Sequence, residues 1–136
     1  MNGIAAVYGG SAQHYRSLHE PKYRRWLDRI IYLPTLPDDP LDTVTALIIP
    51  ERLHLGLLHR AAPRLHALLE RGGTVVAFGE QPRPYLPGVR WEHRPTNFWW
   101  WREPAGRSGL VVLRPDHALF HHLTERDVTW HFHGVL

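Results

Sequence analysis

Short apolar runs and leucine-spaced stretches alternate along the chain. Ile4-Ala5-Ala6-Val7-Tyr8 is a continuous apolar run closed by Gly9 and Gly10, the pattern of a strand buried in a parallel sheet. Ser11 offers an N-cap to a helix from Ala12 to His19, which Pro21 interrupts. Pro21 to Arg29 reads as a second helix, with Tyr23, Trp26, Leu27 and Ile30 sharing a face. Ile30 to Leu33 reads as a strand, and the Pro- and Asp-rich stretch from Pro34 to Asp42 as a loop. Thr45-Ala46-Leu47-Ile48-Ile49 is the clearest strand, stopped by Pro50. Leu53 to Arg71 then places Leu58, Ala61 or Ala62, Leu65, Leu68 and Leu69 at helical spacing, with Pro63 expected to kink the helix or to start a new one. Gly72-Gly73 ends it and Thr74 to Phe78 begins another strand.

Strands alternating with helices predict an α/β fold, a flavodoxin-like three-layer sandwich with a mainly parallel sheet. Beyond Gly79 the pattern loosens. Pro82, Pro84 and Pro87 make 81–88 a loop, and Val89 to His93 alternates like a short strand. Asn97 to Trp101 reads as a strand, Leu110 to Leu113 as another, Asp116 to Leu123 as a short helix, and Val128 to Val135 as a final alternating strand.

Composition narrows the function classes. The 136 residues include no cysteine, which excludes disulfides, thiolate metal sites and a cysteine nucleophile. The length and the 43% hydrophobic content suit a single domain spanning 1–136. No apolar run approaches the roughly 20 residues of a membrane span, and MNGIAAVYGG lacks the features of a signal peptide, so a cytoplasmic protein is expected. Arginine supplies 15 of the 16 basic residues. The arginines are scattered, the only local basic cluster being Lys22, Arg24, Arg25 and Arg29, so a nucleic-acid partner is not expected.

The unit from Thr45 to Gly79 resembles class I glutamine amidotransferase-like domains, in particular the ThuA-like (trehalose-utilisation) group. TALIIP, then a leucine-rich helix ending LLERGGTVVAFGE, carries the likeness. Asp116 to Thr124 resembles a later "HPL-F-x-G-L" segment, with Ala118 for the usual Pro and His122 for the usual Gly. The likeness covers roughly residues 3–10 and 43–135. It implies a fold whose enzymatic members carry a cysteine just after the VVAF-type strand. Here that turn reads Phe78-Gly79-Glu80-Gln81, so amidotransferase chemistry is excluded. The chain also looks shortened at its C-terminus relative to that family.

The candidate site lies at the expected strand ends. Glu80 is the candidate catalytic acid or base. Tyr8, Gly9, Gly10, Ser11, Gly79 and Gln81 are candidate ligand-binding residues, with His14 flanking them. His131 and His133 share a strand face and are weak metal candidates, with His117, His121 and His122 as further imidazoles. No metal-site spacing is present, and no cofactor is implied. Phe98, Trp99, Trp100 and Trp101 point to an interface, with Trp99 and Trp101 on one side of a strand. The expected function is a small-ligand binding or assembly domain, the ligand polar or carbohydrate, in a homodimer. The alternative is a cysteine-independent, metal-assisted hydrolase or isomerase using Glu80 and histidines.

Overall fold

The computed structural model describes residues 3–93, 99–107 and 109–129. They fall into two compact units, Met1–Trp91 and Glu92–Leu136. The first unit has an α/β flavodoxin-like fold. Its strands β1 (Ile4–Tyr8), β2 (Arg29–Tyr32), β3 (Ala46–Ile49) and β4 (Thr74–Ala77) form one parallel sheet in the order β2-β1-β3-β4. Register pairs Val7 with Ile31, Ala5 with Leu47, and Ile49 with Ala77. These side chains therefore share one face, because the side-chain period along a strand is two.

The strand order dictates where the helices go. From β1 the chain steps outward to β2 through α1 (Ala12–His19) and α2 (Pro21–Arg24). It then crosses back past β1 to β3, and α3 (Leu55–Glu70) carries it on to β4. Right-handed crossovers put the first connection on one face and the later two on the other. The core bears this out. Ala5, Val7, Ile31, Leu47 and Ile49 pack with Leu33, Leu36, Leu41 and Val44 from the β2–β3 connection and with Leu58, Ala61, Leu65 and Leu68 of α3.

Each element has a local cause. Ser11 caps α1, its Oγ accepting from His14 N at 3.1 Å. The helix expected from Pro21 to Arg29 stops at Arg24, because Arg29 and Ile30 are needed in β2. The expected loop from Pro34 instead lies partly in a 3-10 helix, Leu33–Asp38, whose Leu33 and Leu36 are buried in the core. α3 continues through Pro63 as one helix. Proline in a helix costs about 3 kcal/mol, and each buried leucine returns roughly 1.5–3 kcal/mol. Leu58, Leu65 and Leu68 together outweigh the proline. Past the helix, Gly72 N–H donates to Leu69 O and Gly73 N–H to Leu68 O, both at 2.9 Å. With Gly72 at φ 86°, this is a Schellman ending. Arg71 then donates from Nη2 to the Leu41 and Val44 carbonyls at 2.5 and 3.1 Å, holding the turn before β3.

The proline-rich stretch after β4 has no regular structure, as expected, and its backbone is tied to α3. His59 Nε2 lies 2.9 Å from Arg83 O and His66 Nε2 3.2 Å from Tyr85 O, so the stretch is laid along α3. Tyr85 is buried in the core, and burial pushes its phenol pKa up. The unfolded phenol ionises first as pH rises through about 10. The unfolded state then holds fewer protons than the folded one, so stability falls with rising pH. Tyr85→Phe should flatten this alkaline decline while leaving stability at neutral pH little changed, measured by urea titrations at pH 8 to 11.

In the second unit the sequence patterns translate poorly. The strands expected at Val89 to His93, which runs across its start, and at Leu110 to Leu113 are absent. Val89, Val111 and Leu113 are exposed, and a short run whose apolar side chains stay in solvent is not held as a strand. The helix expected over Asp116 to Leu123 is one 3-10 turn, Ala118–His121, and Val128 belongs to α4 (Glu125–Thr129) instead of a strand. Residues 130–135 of that expected strand lie outside the described residues.

Candidate functional site

The carboxyl ends of β1, β3 and β4 bring most of the expected ligand-binding residues to one edge of the sheet. This is also where the fold reverses direction, since α1 leaves β1 toward one face and α3 leaves β3 toward the other. Open α/β sheets form a ligand crevice at such a switch.

Three turns build the edge. After β1 come Gly9, Gly10 and the Ser11 cap. A Cβ on Gly9 would overlap Leu53 Cδ2 and stand 3.9 Å from His14 Nδ1. The turn after β3 therefore lies directly against the turn after β1, and only glycine lets the two close. That second turn, Glu51-Arg52-Leu53, holds Arg52 at φ 58°, a region costly for a side chain other than glycine. Gly79, at φ 90°, sits against it in turn. A Cβ there would be 3.0 Å from Glu51 Cβ and 3.1 Å from Glu51 Cα. Neither Glu51 nor Arg52 carries a signal in the sequence that marks it as part of this edge.

Two polar atoms at these turns are buried with no hydrogen-bond partner among the described residues, His14 Nδ1 and Gln81 Oε1. Gln81 is only 5% exposed. Leaving such an atom unsatisfied costs roughly 1–3 kcal/mol, and native folds rarely tolerate it without a reason. Beside Gly10 stand three tyrosines. Tyr8 meets Tyr15 edge-on and Tyr32 at a tilt, with ring centroids 5.9 Å apart in each case. The His19 ring stacks on Tyr15 at 4.0 Å. A Cβ on Gly10 would come within 3.9 Å of the Tyr32 ring. Tyr15 and Tyr32 are about half exposed, at 51% and 49%. Sequence reading singled out Tyr8 but missed Tyr15 and Tyr32, which reach the edge from α1 and β2.

Glu80 is exposed at this edge. A catalytic acid or base is usually set apart by burial or by a close charged partner. Among the described residues, no salt bridge and no hydrogen bond distinguishes Glu80. Among the described residues, no cluster of three His, Cys, Asp or Glu side chains could hold a metal. His117 accepts from Leu119 N at 3.2 Å as a helix cap, and His121 and His122 are exposed. His131 and His133 lie outside the described residues, as does Phe98.

The tryptophans are not in the expected strand. Trp100–Arg102 forms a 3-10 turn, which still brings the Trp99 and Trp101 rings together at 5.9 Å. Arg102 lies over the Trp99 ring at 5.6 Å, and Trp100 is half-buried. Trp99 and Trp101 remain 60% and 59% exposed. A separate shallow hollow in this unit is lined by Val112, Pro115, Phe120, Leu123 and Glu125. It contains none of the expected site residues.

No family model, curated protein or solved structure matches the chain. No described helix is long and apolar enough to cross a membrane.

Proposed function

We propose that the chain is a glutamine amidotransferase-like domain without the cysteine nucleophile, and that it binds a small polyhydroxylated ligand at the carboxyl ends of β1, β3 and β4. The observation that carries this reading is the pair of unsatisfied buried atoms, His14 Nδ1 and Gln81 Oε1. A hydroxyl group both donates and accepts, so it suits an amide oxygen and an imidazole nitrogen of either tautomer. The tyrosines beside Gly10 add ring faces against which the C–H face of a sugar can lie.

The test follows from the energetics of an orphaned atom. Gln81→Leu removes a buried acceptor and keeps a similar volume. It should stabilise the protein by about 1 kcal/mol while lowering affinity for any sugar that the parent protein binds. Thermal melts with and without a panel of neutral mono- and disaccharides read both effects. A Gln81→Leu protein that is less stable, or a parent that no sugar stabilises, would sink the reading.

Assembly is the second part of the proposal. Two adjacent, largely exposed tryptophans are the composition of an interface centre, and self-association through Trp99 and Trp101 would cover them. Sedimentation should show a mass rising with concentration toward twice 15.8 kDa, and Trp101→Ser should suppress the rise. The alternative of a hydrolase or isomerase built on Glu80 gains no support from the site.

A further inference from the structure

The segment 12–30, holding α1, α2 and the first residues of β2, carries Arg16, Lys22, Arg24, Arg25 and Arg29 against Glu20 and Asp28. Five positive and two negative charges give +3, the net charge of the whole chain. Everything outside the segment balances at eleven charges of each sign. Part of the surplus is already engaged, since Arg29 pairs with Asp39 and Lys22 lies 3.5 Å from Glu20. Asp28 Oδ2 accepts from Ile4 N at 3.2 Å, and Arg24 donates to Leu27 O. Arg16 and Arg25 have no carboxylate partner among the described residues.

The same segment exposes aromatic rings, Tyr23 at 50% and Trp26 at 55%. Each carries a cation on one side. Lys22 Nζ stands 4.6 Å from the Tyr23 ring centre, and the Arg25 guanidinium 5.1 Å from that of Trp26. About half of each aromatic residue stays open to solvent beside its cation. Positive charge and exposed rings on one short segment are what a flexible polyanion with flat bases requires.

We propose that the α2 segment, Lys22 to Trp26, is a docking surface for single-stranded nucleic acid. Tyr23 and Trp26 stack on bases, while Lys22 and Arg25 meet the flanking phosphates. A duplex fits less well because its bases already stack on one another. An anionic bilayer fits less well because lying in a membrane interface takes a long, continuous apolar helix face, and α2 is four residues long. Here Leu27 is buried in the core side of the segment and Leu18 is half-buried. The small surplus of charge implies weak, salt-sensitive binding. Two to three phosphate contacts predict that affinity falls roughly tenfold between 50 and 200 mM salt.

The experiment is fluorescence anisotropy of the full chain with a labelled oligothymidylate of about 16 nucleotides at those two salt concentrations. Trp26→Ala should weaken binding roughly tenfold, and Trp26→Phe, which keeps a ring, should restore most of it. Lys22→Gln with Arg25→Gln should flatten the salt dependence. Gln81→Leu should leave oligonucleotide binding unchanged, which separates this surface from the proposed sugar site. Circular dichroism confirms that each variant is folded. No binding, binding indifferent to Trp26→Ala, or capture by vesicles of equal phosphatidylglycerol and phosphatidylcholine in place of the oligonucleotide would overturn the proposal.

Discussion

Leu65→Ala is expected to destabilise the first unit by about 3–4 kcal/mol, the largest effect of any single truncation proposed for this chain. Leu65 has no exposed surface and lies on the α3 stripe that faces the sheet, beside the leucines of the β2–β3 connection. Both sides of the site are fixed by regular structure, so the walls cannot collapse into the space left behind. The loss is a large share of the roughly 5–15 kcal/mol that holds a domain of this size together. Urea titration should show a midpoint lowered by about 2 M if the slope is near 1.5–2 kcal/mol per molar. Leu57, on the flank of the same helix and only half-buried, should tolerate alanine at less than half that cost. Equal losses at the two positions would mean that the buried stripe of α3 has been misassigned.

The second large effect separates two neighbouring glycines. At Gly73 a Cβ would overlap the Leu68 side chain and stand 2.7 Å from the Leu68 carbonyl oxygen. That oxygen is held by the Gly73 amide itself, and the Leu68 side chain is fully buried. Neither can give way, so Gly73→Ala should cost about 2–3 kcal/mol. Gly72 has φ 86° and open space around its missing Cβ. Alanine there suffers only backbone strain, about 1 kcal/mol, and Gly72→Asn should cost less still. Thermal melts of the three variants give the order directly. If Gly72→Ala proved worse than Gly73→Ala, backbone strain and not steric overlap would govern the ending of α3.

Much of the first unit is legible in the sequence because its elements announce themselves independently. β1, β3 and β4 are apolar runs ended by Gly or Pro, and α3 has a leucine period closed by Gly-Gly. The parallel sheet follows from their alternation. The stretch from Leu33 to Val44 was not legible as core. Its buried Leu33, Leu36 and Leu41 are spaced by prolines and aspartates with no period, and Leu41 adopts φ 57°, which no apolar pattern signals. Tyr85 was hidden for the same reason among Pro82, Pro84 and Pro87. After Trp91, the apolar run Leu110 to Leu113 mimics a strand but forms none.

The site shows the same division. Gly9, Gly10, Ser11, Gly79 and Gln81 are found by the rule that ligands gather at strand ends. Their neighbours Glu51, Arg52, Tyr15 and Tyr32 arrive by tertiary packing, which sequence spacing does not encode. The unsatisfied state of Gln81 is likewise a property of its surroundings and not of its residue type.

The sparse burial of α1 has a consequence for how the site breathes. None of its eight residues is buried, whereas Ala5, Ala6 and Val7 of β1 have no exposed surface. Local opening of α1 therefore releases little apolar contact, while opening of β1 requires the whole sheet to part. Amide hydrogens of α1 should exchange with solvent far faster than those of β1, only a few residues away. The Gly9–His14 turn sits on the boundary between these two regimes. A ligand bound at that turn would slow exchange in α1 and leave the central strands untouched, so occupancy would be written in the helix that the core does least to hold.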